Sequence, residues 1–309
     1  MVKDFSPSFA GEAAELARVC YEREREHVPA LPEYAFGRDV ERLISELAGN
    51  GLGVAAFEDG RLTGFLCCTQ PFLNSFCSTD AVGVFSPMCC NGVTGEDSGR
   101  VWGALYHTAA PKWADAGAAS HAVALFAHDR AGQEAFYRSG FGLRCVDAVR
   151  TAEPLGIVPS HGYNFCELQT DELKFVCPLD KMLNMHMAAA PIFLKRELRS
   201  PQEGARYFGA FAGGDLVAFL QQGGAGENLA AERMENITGA FCLHGHRRRG
   251  VSAALLDLAA RTLRDEGHLR IGVDFESFNP EGSGFWLRHF TAYTHSVVRR
   301  IDERALDTM

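Results

Sequence analysis

The feature that most constrains the fold is an internal repeat, because one hairpin pattern occurs in both halves of the chain. Five residues of the first hairpin match five of the second at one constant spacing: Phe57, Gly60, Leu62, Phe65 and Leu66 correspond to Phe211, Gly214, Leu216, Phe219 and Leu220. Further along, residues 127–129 correspond to 276–279, and Phe136-Tyr137 corresponds to Phe285-Trp286. The sequence therefore predicts two tandem domains, 1–155 and 163–309, joined near the Pro- and Gly-containing stretch 151–162.

Hydrophobic periodicity predicts a similar order of elements in both halves. In the first half we expect helices at 10–26, 39–48, 100–116 and 132–139, strands at 52–57, 62–69, 81–88, 121–127 and 141–150, and a loop at 89–99. In the second half we expect strands at 164–168, 207–211, 216–221, 237–243, 269–275 and 295–301, and helices at 171–187, 252–266 and 283–289. Pro178 is expected to interrupt the helix at 171–187. The predicted fold class is α/β, an α+β arrangement with mixed sheets.

Composition excludes several classes of protein. The net charge of −9 argues against a general binder of nucleic acid. The ten cysteines include no Cys-x-x-Cys and no Cys/His spacing typical of zinc, so we expect buried reduced thiols and no metal. The first residues lack an apolar signal core, and no apolar run is long enough to span a membrane. The sequence therefore predicts a cytoplasmic protein without membrane contacts.

A short basic turn in the second half stands out against this acidic background. Arg247, Arg248 and Arg249 precede Gly250, between the strand predicted at 237–243 and the helix predicted at 252–266. The first turn of a helix leaves backbone N–H groups unpaired and favours negative charge. Gly250 lets a ligand approach the backbone closely, and arginines add charged donors. The turn therefore predicts a phosphate or diphosphate site, although a basic run beside a helix is also typical of a solvated face.

Together with the order of elements, this turn resembles that of the GNAT acyltransferase superfamily over nearly the whole chain. The family's turn reads Gln/Arg-x-x-Gly-x-Gly/Ala, and 247–252 follow it with Ser252 in the last position. Residues 136–141 follow the family's Phe-Tyr-x-x-Gly-Phe pattern. The resemblance implies two tandem GNAT-like folds and acetyl-CoA as co-substrate. It implies that acetyl-CoA is bound by Phe241, Cys242, Leu243, Arg247, Arg248, Arg249, Gly250, Val251, Ser252, Ala253, Asn279 and Trp286.

The corresponding segment of the first half lacks this turn. Residues 91–100 place Glu96 and Asp97 where an anion would bind, and like charge there would repel a diphosphate. We therefore expect the coenzyme site in the second domain alone. The first domain is expected to be a degenerate copy that supports the fold or walls the substrate cleft.

The catalytic candidates are less defined than the cofactor turn. The resemblance implies a tyrosine acid in the short helix, but that position holds Trp286, which donates no useful proton. Tyr293 is a candidate replacement, or a packed structural tyrosine. Glu235 and Glu276, near the ends of neighbouring strands, are candidate general bases, or exposed carboxylates.

For four other residues the sequence leaves both a functional and a structural interpretation. His244 and His246 flank the turn and either titrate near neutral pH or pack near the cofactor. Asp274 lies in an apolar strand and is either a site residue or one half of a structural ion pair. Tyr137 is either a core residue or a remnant of a catalytic tyrosine.

The resemblance implies an N-acetyltransferase that moves an acetyl group from acetyl-CoA to an amine. We expect a small-molecule amine as acceptor, with a protein amine as the next choice; the sequence leaves the oligomeric state open. The alternative is a non-catalytic acyl-CoA-binding or regulatory protein, motivated by Trp286 and by the lack of a clear base. A nucleic-acid patch at Arg247–Arg249 is disfavoured by the acidic total charge.

Overall fold

A computed structural model describes residues 1–33, 37–74, 81–158, 161–195, 204–223 and 233–308. The helices are α1 Ala10–His27, α2 Gly37–Ala48, α3 Ser98–Asp115, α4 Arg130–Arg138, α5 Val176–Ala188, α6 Val251–Asp265 and α7 Pro280–His289. The strands are β1 Val2–Asp4, β2 Val54–Glu58, β3 Arg61–Leu66, β4 Gly83–Ser86, β5 Asn91–Val93, β6 Ser120–Phe126, β7 Gly142–Thr151, β8 Asn164–Glu167, β9 Arg206–Ala212, β10 Asp215–Gln222, β11 Met234–Cys242, β12 Arg270–Glu276 and β13 Thr291–Arg300. Within these ranges, no helix is long and apolar enough to cross a membrane.

The chain divides into two compact units. The first comprises Met1–Asp147 together with Ala292–Met309, and the second comprises Ala148–Thr291. This division differs from the predicted domains, which assign the last strand to the second half. Strand β13 belongs to the first unit because it pairs antiparallel with β6, from Thr294 opposite Phe126 to Arg300 opposite Ser120. The hydroxyl of Thr294 also donates a hydrogen bond to the buried carboxylate of Asp147.

In the first unit, strands β1, β2, β3 and β5 form one sheet in that order, and β4, β6, β13 and β7 are neighbours in another. The first of these sheets thus ends at β5, and β4 is the edge strand of the second. Helix α3 packs against β3, and a Cβ on Gly64 would lie 2.9 Å from Val93 and 3.0 Å from Val101. The core contains buried large aromatic side chains, among them Trp102, Trp113 and Phe136. Their burial is the main source of stability for this unit.

In the second unit the strand order is β12-β11-β10-β9-β8. The β9–β10 hairpin is antiparallel, and β10 continues to pair with β11 up to Cys242. The apolar stripe of α6 is buried at Leu255, Leu256, Ala259 and Leu263. This stripe has the 3.6-residue spacing that predicts the helix from the sequence.

Two local predictions were wrong. The segment 89–99, predicted as a loop, contains the short strand β5, which pairs with β3 from Asn91 opposite Leu66 to Val93 opposite Gly64. Pro178 does not interrupt its helix, because a 3-10 turn over Thr170–Phe175 precedes α5 and Pro178 is the third residue of α5. The backbone nitrogens of a first helical turn need no helical acceptor, so proline is tolerated there.

The described cysteines fit the expectation of reduced thiols, since all nine are free. Six of them are buried: Cys20, Cys67, Cys68, Cys89, Cys90 and Cys242. Burial raises the pKa of Cys20 to about 11, which keeps this thiol protonated at neutral pH. Cys177 is exposed, contrary to the expectation, and Cys77 lies outside the described residues.

Candidate functional site

The candidate site of the second unit begins where two parallel strands stop pairing. Strands β11 and β12 are paired from Met234 opposite Arg270 to Ile237 opposite Val273. Both strands continue beyond this point, to Cys242 and Glu276. Strand β11 keeps its antiparallel pairing with β10 over this stretch. The edge of β11 that faces away from β10 therefore has backbone groups available for an extended ligand.

The turn that follows β11 presents unpaired amides. A 3-10 turn over His244–His246 leads to Arg248, whose φ is 60°, and to Gly250, whose φ is 78°. Gly250 is the N-cap of α6, and no side chain caps the helix. The first helical hydrogen bond is donated by Ala254 to Gly250. Among the residues that the structure describes, no group accepts from the amides of 251–253, so three donors and the helix dipole are available to an anion.

The three arginines of the turn differ in their surroundings. Arg247 is half-buried: its Nε donates to the Cys242 carbonyl at 2.9 Å, and its guanidinium pairs with Glu281 and lies 5.5 Å from the Phe241 ring centroid. Arg248 and Arg249 have exposed side chains. Arg247 thus fixes the turn to β11 and α7, while Arg248 and Arg249 lie at the surface.

The other residues predicted to bind the coenzyme near the turn lie directly before it, in β11 or next to its end, or directly after it, in α6. Phe241 and Cys242 are buried at the end of β11, and the Leu243 amide donates to the Val217 carbonyl at 2.9 Å. Val251 is buried at the start of α6, whereas Ser252 and Ala253 are half-buried. Burial raises the pKa of the Cys242 thiol, and a hydrogen bond with Ser252 partly opposes this increase.

Asn279 and Trp286 have structural contacts in α7. The side chain of Asn279 caps this helix by accepting from the Gly282 amide at 3.2 Å. Trp286 is 7% exposed and packs edge-on against Phe285 and Phe290. Helix capping and ring packing account for both side chains, and their contact with a cofactor stays a prediction.

The three catalytic candidates do not lie together. Glu235 and Glu276 are half-buried residues of β11 and β12 in the second unit. Because Glu235 lies opposite Ile271, Glu276 is five residues further along, about 16 Å at the rise of a parallel strand. Glu276 is thus at the open end of the strand pair and Glu235 at its paired end. Tyr293 is 2% exposed in the first unit, where its carbonyl accepts from the Ala127 amide.

The remaining candidates have mixed positions. His246 forms a 3.0 Å hydrogen bond from Nδ1 with the Tyr163 hydroxyl, which supports the structural alternative. His244 is exposed. Asp274 is exposed on β12. Tyr137 is 76% exposed and therefore is no core residue.

The corresponding turn of the first unit has part of the same geometry. Gly95 has a positive φ of 103°. Arg248, at the corresponding position of the second unit, also has a positive φ, of 60°. The N-cap of α3, however, is Asp97 with a φ of −100°, where α6 has Gly250. Asp97 pairs with Arg100, and the Glu96 side chain is exposed. Two acidic side chains thus stand at the start of α3, where α6 has arginines.

Sequence reasoning missed three buried carboxylates among the described residues, Glu24, Asp147 and Asp257. Asp257 of α6 is fully buried and accepts from the amides of Leu155 and Gly156 at 2.7 and 2.9 Å. Glu24 of α1 is 2% exposed and bonded to His128. Glu24 belongs to the run of alternating charges at 22–26, which is typical of a solvated helix face, so its pattern carried no signal of burial. In the part of the chain that the structure describes, no three His, Cys, Asp or Glu side chains form a metal site.

Comparisons with known proteins bear on the fold. No model of a protein family matches the sequence, and no curated protein matches it. Among solved structures, the chain is similar to a GCN5-related N-acetyltransferase from Sphaerobacter thermophilus, with a TM-score of 0.57, 14% identity and coverage of 97% of this chain and 95% of that one. It is also similar to a GCN5-related glucosamine N-acetyltransferase region of a fungal multi-domain GH3 β-N-acetylglucosaminidase, with a TM-score of 0.52, 12% identity and coverage of 96% and 38%. The predicted fold is confirmed: the chain has the GCN5-related N-acetyltransferase fold in two tandem copies.

Proposed function

We propose that this protein is an acyltransferase that moves an acetyl group from acetyl-CoA to the amine of a small molecule. The observation that carries the proposal is the site of the second unit, where the β11–β12 ladder ends at Ile237 opposite Val273 and an uncapped helix follows. An extended arm fits the open edge of β11, and a diphosphate fits the amides of 251–253. The fold supports acyl transfer at the level of the superfamily.

The reaction joins the amine nitrogen to the thioester carbonyl carbon and breaks the carbon–sulfur bond. The amine must first lose a proton, and the leaving thiolate must gain one. We propose Glu276 as the proton acceptor, because it is the candidate carboxylate at the open end of the strand pair. Backbone N–H groups of β11 beyond Ile237 would polarise the carbonyl.

The binding of the coenzyme is assigned to the second unit alone. Arg248 and Arg249 supply exposed positive charge beside the helix start, and Arg247 holds the turn in place. Glu96 and Asp97 at the start of α3 would repel a diphosphate in the first unit. We therefore propose that the first unit is a copy that does not bind the coenzyme. A protein amine is the second choice of acceptor.

A second candidate function is acyl-CoA binding without catalysis. It is favoured by Trp286, which is packed among rings where the family's acid would lie, and by Tyr293, which belongs to the other unit. Such a protein would bind the coenzyme through the same turn and would use it as a signal.

A thiol-release assay with acetyl-CoA and a panel of small amines separates the two functions. Turnover with at least one amine, lost in Gly250→Asp, supports the transferase. Calorimetric binding of CoA without turnover on any amine supports the binding protein. Unchanged CoA affinity in Gly250→Asp would contradict the assignment of the turn in either case.

A further inference from the structure

The first unit contains a cavity of about 560 Å³ that the proposed function does not use. It lies between α1, β5, the end of β6 and the first residues of α3 and α4. Its walls include the apolar side chains of Val93, Trp102 and Phe126 and the charged side chains of Arg23, Glu24 and Arg130. Its volume suits a small molecule.

A buried carboxylate positions a histidine in this cavity. Oε1 of Glu24 lies 2.8 Å from Nδ1 of His128, and Oε2 accepts from the His128 backbone amide at 3.1 Å. The Glu24 side chain is 2% exposed, whereas that of His128 is 35% exposed. In the neutral ring, a proton that Nδ1 donates to the carboxylate leaves Nε2 as a hydrogen-bond acceptor. Among the described residues, no group forms a hydrogen bond with Nε2.

Two further imidazole rings lie beside His128. The His27 ring stacks on the His128 ring with centroids 4.5 Å apart and 13° between the planes. His295 lies close enough for His128 to lower its pKa, although burial is the larger cause. Three imidazole rings and the buried Glu24 carboxylate therefore lie in one region of the first unit.

The rest of the cavity carries charge of both signs. Asp129 is held by the Gly132 amide at 2.8 Å and by Nε1 of Trp102 at 2.9 Å. Burial raises the pKa of Asp129, and Arg23 is near enough to lower it. Arg23 and Arg130 thus place positive charge beside Asp129, and Glu26 adds negative charge on α1. A ligand of a single sign would leave like charges in contact, whereas a zwitterion can pair with both.

We propose that the cavity of the first unit binds a small zwitterion, whose ammonium group donates to His128 and whose carboxylate pairs with Arg23 and Arg130. The acidic start of α3, at Glu96 and Asp97, disfavours a diphosphate there, so the ligand differs from the coenzyme of the second unit. This site goes beyond the proposed acyl transfer, and neither requires the other.

The test is calorimetric titration of the full chain with ω-amino acids from glycine to 6-aminohexanoate, with butylamine and butanoate as single-charge counterparts. We expect at least one amino acid to bind, and both counterparts to bind about tenfold more weakly or worse, since each lacks one charged contact. Absence of binding by the whole series, or equal binding of a counterpart, would overturn the proposal.

Matched variants assign the binding to the cavity. His128→Gln is expected to weaken binding of the amino acid about tenfold, while the exposed His107→Gln on α3 leaves it unchanged. Because His128→Gln removes a partner of a buried carboxylate, Arg130→Gln gives an independent test beside Arg138→Gln, an exposed arginine of the same helix. Binding that survives both His128→Gln and Arg130→Gln would refute the site. Gly250→Asp should leave amino-acid binding intact. An error in the assignment of the acyl-CoA site can therefore be distinguished from an error in the assignment of this cavity.

Discussion

Arg247 donates from Nε to the carbonyl oxygen of Cys242 at 2.9 Å, so the first arginine of the turn is bonded to the strand that precedes it. The same guanidinium pairs with Glu281 of α7. Arg247 therefore ties the turn to β11 and to α7, whereas the next residue, Arg248, is exposed and has a positive φ. The two neighbouring arginines should respond differently to substitution.

We predict that Arg247→Ala lowers the free energy of unfolding of the second unit by about 1–2 kcal/mol, because charged hydrogen bonds within the protein are lost. Arg248→Ala should leave it unchanged and should weaken CoA binding about tenfold, as expected for one charge-assisted contact. Urea unfolding and calorimetry measure the two quantities. Equal unfolding midpoints of wild type and Arg247→Ala would contradict the structural role of Arg247.

A second prediction concerns Gly250, whose φ of 78° is the same as that of Gly60 in the first hairpin. A side chain at either position costs about 1 kcal/mol in backbone strain. Gly250→Asp should in addition abolish CoA binding, because it places a carboxylate at the three unpaired amides of α6. Gly60→Asp is the matched control, with similar strain and unchanged affinity. Loss of CoA binding in both variants would show that strain alone is the cause.

Asp257 gives a prediction about stability alone. This buried carboxylate accepts from the Leu155 and Gly156 amides and pairs with Arg261 at 2.8 Å. Asp257→Ala should cost about 3 kcal/mol, because backbone donors and an arginine lose their acceptor. Asp265→Ala, at an exposed position of the same helix, should change stability by less than about 0.5 kcal/mol. Thermal unfolding of the two variants tests the prediction. Equal changes in melting temperature for Asp257→Ala and Asp265→Ala would contradict the structural role of Asp257.

The pH dependence of the first unit should depend on His121. Burial lowers the pKa of His121 to about 4 from 6.5. Its Nδ1 bonds the Tyr106 hydroxyl and its Nε2 the Ala118 carbonyl, which suits the neutral ring. Between pH 6.5 and 4 the unfolded chain binds a proton that the folded chain excludes, so stability falls as pH falls, by about 3 kcal/mol in total.

The measurement is urea unfolding at pH 7 and pH 4.5 of wild type, His121→Asn and His107→Asn. Burial raises the pKa of Glu24 and Asp129, which acts in the opposite direction, so the difference between variants is the informative quantity. His121→Asn should be less stable at pH 7 and should lose less stability on acidification, and the exposed His107→Asn should behave as wild type. An identical pH slope in His121→Asn and wild type would contradict the prediction.

The sequence predicted those parts of the fold that depend on local pattern. The stripe of α6, the two hairpins and the turn with Gly250 have periodicity or glycine positions that fix local geometry. Strand β5 was missed because three residues, one of them glycine, give no alternation. The placement of β13 in the first unit depends on pairing with β6, a partner far away in sequence, which no local pattern encodes.

The candidate site shows the same division between local and long-range information. The basic turn was recognisable, but the contacts of Arg247 with Cys242 and Glu281 depend on the packing of α7. Tyr293 was selected for its nearness in sequence to Trp286, and the structure assigns it to the other unit. Glu24 lies in a charged run and is nevertheless buried, because the tertiary environment supplies His128 as partner.

The last prediction separates the two candidate bases by their position along the strands. Glu276 lies at the open end of the β11–β12 pair, and Glu235 lies opposite Ile271 at the paired end, about 16 Å away along the strand direction. Under the proposed function the acceptor amine lies at this opening, where Glu276 is the nearer of the two carboxylates. Glu276→Gln should therefore lower kcat about 100-fold, the lower range for a lost general base, with little change in CoA affinity. Glu235→Gln, the matched control, should retain wild-type kcat. Steady-state thiol release at saturating amine measures both, and the opposite ranking of the two variants would move the proton acceptor to Glu235.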